Sequence, residues 1–218
     1  MNQQQQGLEA LQDIKRIMER SSRFISLSGW SGVAAGLCAL VGAWVAKSRI
    51  ENYRGGGTIS GPVEQDRMDD YAHGLRSTLS FELLVIAGVV FIAAVTLAFL
   101  FTYIRSRKAN LPIWSPTARR LMWNTLVPLV VGGIVVLNIL DRGQYFLIAP
   151  LCLIFYGLAL LNGSKYTLGE VKYLGYGQII LGLLNLWEPG YGLVFWAIGF
   201  GMLHIVYGVV MWWKHERK

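Results

Sequence analysis

Few residues of this chain could do chemistry, and most of those sit among apolar neighbours. His204 comes first, an imidazole in the middle of a long apolar run, between Gly201 and Gly208. An ionisable group in such a place calls for a functional hypothesis, here a proton relay or a ligand contact. The plain alternative is a neutral ring hydrogen-bonded to another helix. Gln178, Tyr156 and Tyr207 are the side chains that could partner it. Asn138 and Asn185 each close an apolar run, where an amide either caps the turn or lines a polar cavity. Glu82 lies near the outer end of a further run, at a depth from which a carboxylate reaches the interface. His204, Tyr207, Gln178, Asn138, Asn185 and Glu82 together form the candidate polar site.

Catalytic constellations are scarce. The remaining histidines, His73 in a loop and His215 near the end, leave no second ligand for a haem. Cys38 and Cys152 have no metal or redox spacing and read as small packing residues. Gly29-Trp30-Ser31-Gly32 offers a serine that could pair with His204. That pairing resembles the rhomboid proteases, which have a six-helix core. Their serine lies on the fourth helix, whereas this one lies on the first, and their polar loop motifs are missing. The stripe Ser28, Gly32, Gly36 is instead a small-residue face suited to close helix packing. No catalytic residue, cofactor or metal is assigned, and an enzyme is the disfavoured class.

The elements that must hold these residues follow from composition. Of 218 residues, 54% are hydrophobic and 15% charged, against about a quarter charged in a soluble domain. The apolar residues fall in blocks instead of alternating, which excludes a β-barrel. A helix needs about 20 apolar residues to cross a bilayer. Six segments approach that length: 24–46, 79–104, 121–140, 145–161, 173–187 and 191–213. The fourth and fifth are short for a full crossing, so five spans with a re-entrant segment compete with six. The expectation is an all-α, polytopic membrane protein of six transmembrane helices, arranged as three helical hairpins.

Charge sets the orientation. Lys47, Arg49, Arg54, Arg67, Arg76 and Arg142 lie on one side, and the other 14 of the 20 Lys and Arg on the opposite side. The richer side is cytoplasmic by the positive-inside rule, giving N-in and C-in. The net charge of +7 is therefore a topology signal and a surface for anionic lipid headgroups, with no direct nucleic-acid binding. The polar stretch before the first span argues for an uncleaved signal anchor in a multi-pass inner-membrane protein.

Three parts are expected along the chain: an amphipathic N-terminal helix within 1–22, a membrane domain over 23–213 and a tail over 214–218. The membrane domain has a long external loop, 47–78, and a basic cytoplasmic loop, 105–120. The N-terminal helix rests on the interface or docks a protein partner or second copy. The small-residue helix faces offer another such surface. Ser115-Pro116 predicts an N-cap with proline at the first helical position. Thr167 and Glu170 have capping-box spacing, and Pro128 and Pro150 should bend their helices. A weak parallel repeat is also present. Leu137–Gly143 echoes Leu184–Gly190, Phe155-Tyr156-Gly157 echoes Val206-Tyr207-Gly208, and Gly29 and Gly36 echo Gly175 and Gly182.

The stretches Leu11–Gly29, Leu153–Gly175 and Phe195–Gly208 resemble an uncharacterised family of bacterial six-helix inner-membrane proteins with no assigned activity. The resemblance covers most of the chain outside the external loop and carries over no catalytic residue. Its members tend to be encoded near a small winged-helix regulator, which implies a signalling or accessory role. The leading expectation is a non-enzymatic accessory, sensory or regulatory component acting through protein partners. The alternative is a small transporter or channel for a proton, a small apolar solute or a lipid, using His204.

Overall fold

In hydrocarbon every backbone N–H and C=O must be satisfied within the protein, which leaves helices as the solution for long apolar blocks. The computed structural model describes residues 28–55, 65–108 and 114–217. Among these, all regular structure is helical. There are six helices: α1 (Gly29–Gly55), α2 (Gln65–Lys108), α3 (Pro116–Asp141), α4 (Ile148–Gly163), α5 (Glu170–Trp187) and α6. The last consists of Gly192–Trp196, a π-helical segment Ala197–Leu203, and His204–His215. Five of the six are long and apolar enough to cross a membrane. The exception is the 18-residue α5; the fourth segment, also expected to be short, is long enough once its 3-10 turns extend it over Tyr145–Tyr166.

Several local expectations change. The amphipathic stretch within 1–22 lies outside the described residues, as do 56–64 and 109–113. Helix runs deep into both long loops: α1 continues to Gly55, α2 begins at Gln65, and α2 ends only at Lys108. Ser115 caps α3, its side chain accepting from the Ala118 N–H with Pro116 behind it. At the Thr167–Glu170 spacing, Gly169 stands at the N-cap of α5, and the Glu170 carboxylate pairs with Lys214 and His215. Pro150 sits in the first turn of α4. A missing N–H costs nothing there, so it caps the helix start instead of bending a span. Pro128 lies inside the unbroken α3.

The helices pack in a row: α3 on α4, α4 on α5, α5 and α4 on α6, α6 on α1, and α1 on α2. Among the described residues, α6 is the helix that packs extensively on both α1 and the α4–α5 pair. It therefore joins a part made of α1–α2 to a part made of α3–α5. The N-terminus of α1 and the C-terminus of α6 lie at the same end, where the Gly29 N–H meets Glu216.

Two of these contacts are nearly the same contact made twice. A methyl group placed on Gly182 of α5 would lie 2.7 Å from the Ile154 Cγ1 and 2.9 Å from the Pro150 carbonyl of α4. Placed on Gly36 of α1, it would lie 2.7 Å from the Ile205 Cγ1 and 2.6 Å from the Gly201 carbonyl of α6. Gly157 meets the Gly175 carbonyl at 2.7 Å, and its counterpart Gly208 meets the Gly29 carbonyl at 2.5 Å. Only glycine allows backbones this close, and the apposed small residues supply van der Waals contact where lipid offers no hydrophobic gain. The echoes in the sequence thus correspond to repeated packing, position for position. The turns α3–α4 and α5–α6 echo as well, each entering its next helix through a 3-10 turn, Tyr145–Leu147 and Pro189–Tyr191.

Candidate functional site

The polar residues of α4, α5 and α6 meet on the π-helical segment. A π turn widens the helix and disturbs the regular carbonyl ladder, and such turns recur at functional sites. Here the His204 backbone N–H donates to the Gly201 carbonyl. The Gly199 carbonyl receives two side-chain donors, Gln178 Nε2 at 2.7 Å and His204 Nδ1 at 3.0 Å. A carbonyl has two lone pairs, so both are used. Because Nδ1 faces an acceptor it carries the ring hydrogen, and Nε2 must accept. It does so from the Tyr156 hydroxyl at 2.8 Å. The 3.4 Å approach of Gln178 Nε2 to His204 Nδ1 joins two donors and is no bond of its own.

Packing shields this arrangement. Gln178 is fully buried and His204 is 6% exposed. Tyr156, Phe200 and His204 form a face of tilted and stacked rings, with centroids 5.1–6.1 Å apart. Gly199 has no room for a side chain, since a methyl there would lie 2.6 Å from Gln178 Oε1. Two buried polar atoms nearby on these helices have no partner, Gln178 Oε1 and the Tyr207 hydroxyl. An unpaired buried polar atom costs about 1–3 kcal/mol.

The six sequence candidates therefore separate. His204 and Gln178 share one carbonyl. Tyr207 is on the same helix as His204, but its ring lies against Gly32 of α1. Asn185 is fully buried and caps the end of α5, donating to the Glu188 carbonyl at 3.0 Å, with its own Oδ1 unpartnered. Asn138 is at the exposed α3–α4 turn, accepting from Arg142 Nε at 2.9 Å. Glu82 lies between α1 and α2, accepting from the Tyr53 hydroxyl at 3.0 Å. The serine–histidine pair does not form. Ser31 Oγ donates to the Ser28 carbonyl, and both His204 nitrogens are engaged elsewhere. Among the described residues, no group of three or more His, Cys, Asp or Glu side chains is placed to hold a metal ion.

A second, ionic cluster closes the other end of α6. Glu216 accepts from the Gly29 N–H at 2.6 Å and from Ser28 Oγ at 3.4 Å, and it pairs with Arg105 of α2. Its carboxylate thus caps α1 from a distant part of the chain, where the helix dipole favours negative charge. Glu170 at the start of α5 pairs with Lys214 at 2.5 Å and His215 at 3.3 Å. The bond from Lys214 pulls the Glu170 carboxyl down to about 2. Sequence reasoning missed both sets of partners. Gly199 had no signal beyond its place in a glycine-rich run, because a π turn has no local sequence code. Glu216 and Arg105 had only their position at helix ends.

Comparison with known protein families, with curated proteins and with solved structures finds no match.

Proposed function

We propose that this chain is a six-span protein of the bacterial inner membrane, N-in and C-in, and a non-enzymatic accessory, sensory or regulatory component that works through protein partners. The observation that carries this reading is the outward face of α2. None of its most apolar window is buried inside the chain. Phe81, Val89, Phe91, Ile92 and Phe99 all stand exposed on it. That face, turned away from α1, is available to a neighbour in the membrane. The resemblance to bacterial inner-membrane proteins supports the bacterial assignment, and the concentration of Lys and Arg supports the orientation.

Photo-crosslinking groups placed at Val89 and Phe99 in native membranes test it. A discrete protein adduct at these positions, absent from groups placed at the inward Ala39, is the expected result. Lipid adducts alone at every position would overturn the reading.

A second reading, a small transporter or channel for a proton, small apolar solute or lipid, is favoured by the unpartnered Gln178 Oε1 and Tyr207 hydroxyl beside His204. On this reading His204→Ala abolishes the flux of purified protein in liposomes. Unchanged flux would remove His204 from the pathway.

A further inference from the structure

We propose that the π segment of α6 is one of two registers of that helix, held in place by the two side-chain bonds on the Gly199 carbonyl. The inference goes beyond the functional reading above and depends on neither version of it. Three observations meet at this point. The first is the position of the segment: Ala197–Leu203 lies in the helix that packs on both parts of the molecule. Gly201 touches α1 at Leu40 and Gly36, while Gly199 touches Leu153 of α4 and Gln178 of α5.

The second is the lock. Gln178 Nε2 and His204 Nδ1 reach the Gly199 oxygen from another helix and from the following turn. Both donors are long enough to follow that carbonyl only while it points out of the regular ladder. An α-helical register would return the carbonyl to its own helix and leave both donors without it. The third is slack. The outer start of α6 is a 3-10 turn, Pro189–Tyr191, and nothing lies within 4 Å of where Gly190 would carry a side chain. A one-residue change in winding can be taken up there.

Each residue of an α-helix turns about 100°. Converting the π segment to α therefore rotates residues 192–196 by about that angle relative to His204–His215. Gly199 would leave its contact, and a neighbour bearing a side chain would face Leu153 and Gln178. Those helices would have to yield, so the change of register is also a change in how α4 and α5 sit on α6. Two discrete packings of one element are what a switch requires. The repeat supplies a control for packing, because the position matching His204 in α4 is the fully buried Leu153. A leucine therefore fits this crossing.

The test is a nitroxide scan of positions 192–196 in the full chain in lipid nanodiscs, with Cys38 and Cys152 replaced by Ser. Oxygen accessibility should peak at Val194, the exposed residue of this turn. In the Gln178→Leu/His204→Leu variant the peak should move by one residue. A chain from which Ala197 has been deleted closes the segment as α without rotating residues 192–196, and should keep the peak at Val194. Tyr156→Phe, which leaves both donors on Gly199, should keep the peak at Val194. A peak that stays at Val194 in the double variant would overturn the proposal, as would loss of all periodicity, which signals fraying instead of a second register. Gln178→Leu alone probes the same lock by a milder change: a mixture of the two peaks supports the switch, and an unmoved peak refutes it.

Discussion

The α4–α5 and α6–α1 contacts use one glycine crossing in two settings. In the first, the helices are neighbours in the chain, joined by a short turn, and the position matching His204 is the fully buried Leu153, which meets Gly199 of α6. In the second, the helices are the last and the first of the six, and the matching position holds His204 beside a π turn. The glycines suffice for the crossing, since α4–α5 manages it with leucine. The histidine, its carbonyl and the widened turn are additions to a packing scheme that does not need them. Polar groups that packing does not require are the ones whose presence needs another explanation.

Exchanging the two central residues tests that comparison most severely. Leu153→His should destabilise the protein by about 2 kcal/mol or more, because it replaces a fully buried apolar side chain with a polar ring, for which Gln178 Oε1 is the unpartnered acceptor nearby. The nearby Gly199 carbonyl already holds two donors. His204→Leu should cost less, about 1–2 kcal/mol, mainly by leaving the Tyr156 hydroxyl unpaired. Thermal unfolding in detergent reads both, and the reverse order would mean that the histidine is the structural member of the pair.

Breaking the crossings themselves comes next. Gly182→Leu and Gly36→Leu each force a side chain onto a facing carbonyl, an overpacking worth about 1–3 kcal/mol. Similar losses in Tm are expected from both. A silent Gly36→Leu would show that the second crossing is looser than the first. The two counterpart tyrosines give a finer contrast. Tyr156→Phe removes the donor to His204 Nε2 and should cost about 1 kcal/mol. Tyr207→Phe removes a hydroxyl that has no partner and should leave Tm within a degree or two of its starting value.

The smallest effect belongs to the ionic end. Glu170 is held near 2 in the folded protein, below the usual value of about 4.3. Its contribution is thus complete above pH 4.3 and is lost as the pH falls from there through about 2. The gap in Tm between the native chain and Glu170→Gln should narrow across that interval. The gap should be small throughout, since Lys214 is largely exposed to solvent. A gap that widens on acidification would contradict the assigned pairing.

Much of the architecture was legible as hydropathy. The apolar blocks predict each helix because hydrocarbon leaves the backbone no other way to bond. Ser115 and Pro116 announced the start of α3, since capping is a local interaction. Helix continues past the apolar blocks, α1 to Gly55 and α2 from Gln65, because polar residues outside such a block do not stop a helix. The ion pair of Glu170 with Lys214 had no local signal, because it joins residues far apart in the chain. At the candidate site, His204 and Gln178 stood out by being polar in apolar runs. Their meeting on Gly199 depends on how three helices cross and on a π turn, and neither leaves a mark in a single sequence.

The pairing of first and last helices also shapes how the protein is made. Chains emerge N-terminus first, at about 5–20 residues per second. Gly29, Gly32 and Gly36 therefore enter the bilayer long before Gly201 and Gly208 exist to cover them. The first amide of α1 waits longer still, because the carboxylate that caps it belongs to Glu216. Until then the opening helix is a provisional guest in the lipid, its bare glycine face and uncapped end open to the machinery that inserts and inspects new membrane proteins. A chain stalled before α6 therefore retains an α1 that lacks both its cap and the helix that covers its glycines.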